Sequence, residues 1–153
     1  MRVGSNEVHM MGDVWGVTTW FEQWGECVAA ADFAGARALF VQDVVGFGTY
    51  RDRVKGLDAL EHGQWRSIWP SIRDFAFDLN SLEILFSPDA RQAVAMIIWN
   101  STGIRTDGTA YPRPGRATVV LRRDEGVWRG LHTHFSLSPA ASESSFGDEL
   151  CDR

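Results

Sequence analysis

Two of the four histidines, His132 and His134, lie two residues apart near the end of the chain. Side chains two residues apart in a strand point to the same face of the sheet. Strict alternation places Trp128, His132, His134 and Ser136 on one face and Val127, Leu131, Phe135 and Leu137 on the other. Imidazole titrates near neutral pH and commonly serves as a general acid or base. The pattern therefore predicts that this face is the wall of a pocket or of a subunit contact, with His132 and His134 as candidate catalytic residues.

Arg116 begins the preceding predicted strand and is a candidate partner for these imidazoles. A guanidinium can hold a carboxylate or an enolate-like oxygen through two parallel hydrogen bonds, so the set suits proton abstraction next to a carbonyl. Alternatively, the histidines belong to a buried hydrogen-bond network with Ser136, Thr118 or Arg116. We predict no metal site and no cofactor, because no acidic or cysteine ligand is placed to complete a two-histidine set.

Aromatic residues are the second candidate group, with seven Trp and nine Phe among 153 residues. Aromatic side chains often line apolar ligand cavities, although core packing explains most of them equally well. With Arg116 and Ser136, the predicted ligand-binding residues are Trp20, Trp24, Phe47, Trp65, Trp69, Trp99 and Tyr111.

Hydrophobic periodicity predicts helices in the first half of the chain. Apolar residues at helical spacing indicate a first helix over 14–31, with Asp13 as its N-cap. Asp32 opens a second helix over 33–40, and a short strand follows at 44–50. A third helix spans 57–71, where Pro70 should end it.

The second half of the chain has the period of extended strands. Strands are predicted over 75–86, 93–102, 111–123 and 127–138, and the residues 106–109 form a hairpin turn. Helices followed by such a meander indicate an α+β fold, in which three helices pack on one face of a strongly curved, mixed or antiparallel sheet and enclose a conical cavity. We predict a flexible arm at 1–12, one domain at 13–139 and a disordered tail at 140–153.

Composition limits the function classes. A net charge of −5 argues against binding nucleic acid, whose phosphates require a basic surface. The longest apolar run, 93–99, is too short to span a bilayer. The two cysteines, Cys27 and Cys151, have no spacing typical of a disulfide or metal framework, so a cytoplasmic protein with reduced thiols is expected.

Several motifs together resemble the SnoaL-like and ketosteroid-isomerase-like branch of the NTF2-like superfamily over approximately 13–139. They are the aromatic first helix, Asp43-Val-Val-Gly-Phe-Gly-Thr49, the Gly56-led helix with Gln64 and Trp65, the Arg116-led strand and the His-x-His-x-Ser ending. That ending is also similar to the association domain of the calcium/calmodulin-dependent kinase. The resemblance implies a cone-shaped NTF2-like fold and a homodimer.

The resemblance also implies a function. It is an isomerase or lyase that uses histidine-based proton transfer on a small hydrophobic or aromatic ligand with an anionic or carbonyl group. The alternative is a non-catalytic oligomerisation or ligand-binding module. Steroid isomerisation itself is not expected, because the sequence lacks a recognisable set of an Asp base, a Tyr and a second, protonated Asp.

Overall fold

A computed structural model describes residues 5–139 of the chain. The predicted tail at 140–153 and the first four residues of the predicted arm lie outside the described residues. The first helix, α1, spans Ser5–Ala30 and therefore begins within the predicted arm. Its predicted apolar stripe is confirmed, since Val17, Trp20, Phe21, Trp24 and Val28 are all buried.

Asp13 is not the N-cap that the sequence predicted. The helix continues past it towards the N-terminus, so Asp13 lies inside α1. Its buried carboxylate instead accepts a short, charge-assisted hydrogen bond from the guanidinium of Arg123 in the sheet. This ion pair fixes the first half of α1 against the sheet.

The end of α1 and the start of the second helix share one turn. Ala31 adopts a left-handed conformation, and the amides of Ala31 and Asp32 bond back to the carbonyls of Val28 and Cys27. This pattern is a Schellman motif. Asp32 then caps α2 (Phe33–Arg37), because its carboxylate accepts a hydrogen bond from the Gly35 amide. The predicted cap at Asp32 is confirmed, but α2 ends three residues before the predicted Phe40.

The third helical segment covers residues 57–71, as predicted, but it is not a uniform α-helix. It consists of α3 (Leu57–Leu60), a π-helical turn (Glu61–Trp65), α4 (Arg66–Ile68) and a 3-10 turn (Trp69–Ser71). Pro70 lies in the last turn, where its missing N–H ends the segment. A π-turn inside a helix is rare and often occurs at functional sites.

Within residues 5–139, seven strands form one sheet. They are β1 (Phe40–Phe47), β2 (Val54–Lys55), β3 (Ile72–Phe86), β4 (Gln92–Ile104), β5 (Ala110–Pro112), β6 (Gly115–Asp124) and β7 (Val127–Leu137). The order is β2-β1-β7-β6-β4-β3, and β5 pairs with β4. Only β1 and β7 run parallel; the other pairs are antiparallel. The predicted α+β fold with helices on a mixed, mostly antiparallel sheet is thus confirmed.

Irregular pairing bends this sheet around α1. The register between β3 and β4 shifts twice, and a further shift separates Val120 from Leu121 in the pairing of β6 with β7. Each such bulge bends its strand and increases the local twist. The concave inner face carries the core residues of the central strands, including Ile97, Val119 and Leu121. No helix within residues 5–139 is long and apolar enough to cross a membrane.

Candidate functional site

A pocket opens between the helices and the inner face of the sheet. Its aromatic walls come from α1, the third helical segment, β3, β4 and β7. The lining residues are Trp24, Val28, Gly48, Thr49, Gln64, Trp65, Ile68, Trp69, Ile72, Phe75, Trp99, Arg113 and Phe135. The cavity has a volume of about 50 Å³, which is about four times the volume of a water-sized sphere.

Ring contacts make the pocket wall rigid. Trp65 stacks on Trp69 with their ring centroids 4.9 Å apart. On the opposite side, Phe135 contacts Trp24 at 5.3 Å and Trp99 at 5.8 Å. Interlocked aromatic rings bury large areas and leave few alternative rotamers, so the cavity exists without a ligand.

Arg113 supplies the charge in this pocket. It lies between Pro112 and Pro114, where the chain leaves β5 and enters β6. Its backbone N–H and C=O both pair with Ser101 of β4, at 2.8 and 3.1 Å. The guanidinium donates a hydrogen bond of 2.7 Å to the Thr49 hydroxyl and lies 5.2 Å from the centroid of the Trp99 ring. Hydrogen bonds therefore fix both the backbone and the guanidinium of Arg113.

The partners of the Arg113 guanidinium within the described residues are neutral. Burial lowers the pKa of Arg113, and a hydrogen bond with Tyr111 partly opposes that shift. An arginine nevertheless keeps its proton in a protein. None of the ion pairs within residues 5–139 involves Arg113. The pocket thus contains a cation that no carboxylate of residues 5–139 neutralises.

Gln64 is brought to the pocket by the π-turn. Its amide packs directly on Gly48, where a side chain would overlap the amide nitrogen. Glu61, in the same turn, is buried and accepts hydrogen bonds from Arg37 at 3.1 Å and Arg66 at 3.2 Å. This network anchors the turn to α2 and so fixes the position of Gln64.

Four of the predicted ligand-binding residues line the pocket, namely Trp24, Trp65, Trp69 and Trp99. Trp20 is buried beside them but not among the lining residues, and its indole N–H donates to the Leu39 carbonyl at 2.9 Å. Tyr111 lies behind the pocket, where it contacts Arg113 and packs against Gly103.

The two histidines lie on the other side of the sheet from this pocket. His132 pairs with Val120, whereas Gly130 pairs with the next residue, Leu121, so Leu131 is an extra residue in β7. A one-residue bulge reverses the alternation beyond it. Thr133 and Phe135 consequently face inward, and the predicted pocket-facing placement of His132 and His134 was wrong.

The outer face of the sheet also carries Arg116, Ser136 and Phe47. Arg116 donates to the Ser136 hydroxyl at 3.2 Å. Phe47 meets the rings of His132 and His134 edge-on, at 5.0 and 5.3 Å between centroids. His132 Nδ1 donates to the Val45 carbonyl at 2.8 Å. The predicted contacts between these groups are partly present, but they do not belong to the pocket.

Sequence reasoning missed Arg113, Gln64 and Thr49 as polar residues of the site. Arg113 was concealed between two prolines that predicted only an irregular strand start. Gln64 stood in a motif of the resemblance but had no assigned role. The described residues contain no group of three or more His, Cys, Asp or Glu that could hold a metal ion.

Comparisons with known proteins agree with this architecture. Residues 17–141 match the model of the SnoaL-like domain. A ketosteroid isomerase-like protein from Erwinia carotovora atroseptica superposes with a TM-score of 0.72 and 19% identity, over 83% of this chain and 98% of its own. An NTF2-like superfamily protein from Salmonella enterica serovar Typhimurium superposes with a TM-score of 0.75 and 17% identity, over 90% and 99%.

A protein from Xanthomonas campestris, assigned as a calcium/calmodulin dependent protein kinase II association domain, gives a TM-score of 0.69 at 18% identity, over 82% of this chain and 87% of its own. No functionally curated protein has a significant sequence match to the chain. These structures establish the NTF2-like fold, and the domain match establishes the family. The chain therefore belongs to the SnoaL-like family.

Proposed function

We propose that this protein binds a small hydrophobic or aromatic molecule in the aromatic pocket, with an anionic or carbonyl group of the ligand at Arg113. The observation that carries this proposal is a partly buried guanidinium that has no carboxylate partner in the described part of the chain and lies in a cavity lined mainly by aromatic and aliphatic side chains. Ligand sites typically combine such apolar walls with a few convergent polar groups. The apolar part of the ligand replaces water against the rings, and its polar part satisfies the cation.

Binding accounts for the pocket better than histidine-based isomerase or lyase chemistry. Among the described residues that line it there is no carboxylate, imidazole or thiol. A general base must lie within hydrogen-bond reach of the proton that it removes, or one water away. His132 and His134 are separated from the pocket by the backbone of the sheet. The non-catalytic ligand-binding module is thus the reading that we favour.

A thermal-shift screen with aromatic and alicyclic ketones and carboxylates tests the proposal. A ligand at 100 times its Kd should stabilise the protein by about 2.7 kcal/mol, which raises Tm by about 5–10 °C for a chain of this size. Arg113→Met should abolish the response, whereas the matched control Arg116→Met should keep it. A panel without any stabilising compound, or equal responses from both variants, would refute the proposed site.

We also propose that the outer face of the sheet forms a homodimer. On this face the exposed fraction of Leu85 is 64% and that of Ile98 is 46%. The same face also carries the half-buried Phe47. Clustered apolar side chains on an open sheet face are typical of surfaces that a partner covers. Strict alternation would place Phe135 on one face with Leu131 and Leu137, but the bulge turns Phe135 into the pocket, so it is not available to this contact.

A further inference from the structure

Three buried hydrogen-bond donors around the pocket have no acceptor. They are the indole nitrogens of Trp24 and Trp99 and the side-chain amide nitrogen of Gln64. Among the side chains of residues 7–139, no other buried polar atom lacks a partner. All three residues line the pocket, and the two tryptophans are only 2% and 0% exposed. Buried donors are nearly always paired with protein groups or with water, so these three donors mark positions around one cavity where a bound molecule or a water would supply the acceptor.

The guanidinium of Arg113 adds to this set of donors. It carries five N–H groups and no acceptor, and Thr49 and Tyr111 engage only part of them. The Thr49 oxygen already accepts from Arg113. Within the described residues, the Arg113 guanidinium therefore brings to the pocket a charged donor with N–H groups that no carboxylate engages.

We infer that the pocket recognises a monocarboxylate in its deprotonated form, attached to a single ring or a short apolar chain. This inference rests on the proposed function and specifies the ligand class for the same site. A carboxylate has two oxygens and only acceptor positions when ionised, so it complements a set of donors. Its single negative charge neutralises the single positive charge of Arg113.

Other polar groups fit this pocket less well. A ketone accepts hydrogen bonds but leaves the guanidinium charge uncompensated among apolar rings. An alcohol or an amide brings its own N–H or O–H towards donors. A phosphate dianion carries one charge more than Arg113 offers, and the chain has a net charge of −5. The volume of about 50 Å³ also suits a small head group.

Benzoate, benzamide and benzyl alcohol form a matched series of probes with the same ring. Isothermal titration of the full chain at neutral pH should give a Kd for benzoate about 10- to 100-fold lower than for either neutral probe, since hydrogen bonds to charged groups are the strongest. Arg113→Met should remove this preference, and Arg113→Lys should retain part of it. Arg116→Met, on the outer face, is the control that should leave it unchanged.

Proton-nitrogen NMR of the indole groups locates the anion independently of affinity. Benzoate should shift the Nε1–H resonances of Trp24 and Trp99 downfield, whereas the exposed Trp15, at 71%, should not respond. Trp24→Phe and Trp99→Phe assign the two signals. These spectra need no arginine variant, so they remain informative even where Arg113→Met fails to fold.

The outcomes separate the inference from the proposed function. Benzyl alcohol or a ketone that binds as tightly as benzoate, with unshifted Trp24 and Trp99 signals, would overturn the carboxylate inference and leave a hydrophobic binding pocket. If none of the three probes binds and no compound of the thermal-shift panel stabilises the protein, both the carboxylate inference and the proposed function are overturned. Benzoate selectivity that survives in Arg113→Met would also overturn the inference, because the charge would then lie elsewhere.

Discussion

The orientation of β7 predicts very different costs for two neighbouring substitutions, Phe135→Ala and His134→Ala. The Phe135 ring packs among Trp24, Phe77 and Trp99, with centroids 5.3, 6.3 and 5.8 Å away. Truncation of a buried Phe to Ala costs about 3–5 kcal/mol. Because Phe135 is half-buried, we expect a loss near the lower limit, about 3 kcal/mol.

His134 is exposed on the opposite face, and its ring contact is with the edge of Phe47 at 5.3 Å. An aromatic pair contributes about 0.5–1.5 kcal/mol, and exposure reduces that value. His134→Ala should therefore cost less than about 1 kcal/mol. The corresponding decreases in Tm are about 6–12 °C for Phe135→Ala and less than about 4 °C for His134→Ala.

Urea denaturation followed by far-UV circular dichroism measures both free energies of unfolding through the midpoint and the slope. Circular dichroism is preferable to tryptophan fluorescence, because Phe135 contacts two tryptophans directly. The titration should be repeated over a range of protein concentrations, since His134 lies on the proposed dimer face. Equal losses for the two variants, at concentrations where both are monomeric, would mean that β7 has no bulge at Leu131 and that the histidines face inward.

Three further predictions concern the dimer, the α1 anchor and a turn. If the proposed homodimer forms through the outer face of the sheet, Ile98→Asp should convert it to a monomer in light scattering without loss of the fold; an unchanged mass would place the interface elsewhere. Asp13→Ala should lower the free energy of unfolding by about 1 kcal/mol, because Arg123, whose side chain is 32% exposed, loses its partner. A double-mutant cycle of Asp13 and Arg123 that gives no coupling energy would contradict that pairing. Hydrogen bonds from Thr109 lower the pKa of Asp107 in the folded protein. The ionised Asp107 should therefore stabilise the fold fully above its unfolded pKa of about 3.9, and this stabilisation should disappear as the pH falls through the folded pKa. An NMR titration of Asp107 with a midpoint at or above the unfolded pKa would refute this prediction.

Element positions could be predicted from the sequence because burial imposes a period on it. The apolar stripe of α1 and the helical segment at 57–71 each reflect one buried face. In β4 the residues 93–99 form one apolar run without alternation, and the structure shows which of its side chains are buried, such as Trp99, and which are exposed, such as Ile98. The start of α1 was less predictable, since its first turns protrude and bury little except Asp13.

The faces of β7 could not be predicted from alternation alone. A bulge inserts one residue without a local sequence signature, and the apolar side chain of Leu131 does not reveal which face it occupies. Only the pairing with β6 shows that Gly130 and His132 oppose consecutive residues, Leu121 and Val120. Arg113 was equally obscure, because its inward direction depends on the long-range pairing of its backbone with Ser101.

The same bulge places different kinds of side chain on the two faces of β7. Beyond Leu131 the imidazoles of His132 and His134 lie on the outer face, and the inner face presents Thr133 and Phe135. A pocket that performs proton abstraction needs an acceptor to receive the proton, whereas this pocket offers Arg113 and unpaired N–H groups. A carboxylate ligand would supply the acceptor that these donors lack. The proposed carboxylate would account both for the lack of a base among the described lining residues and for the unneutralised guanidinium of Arg113.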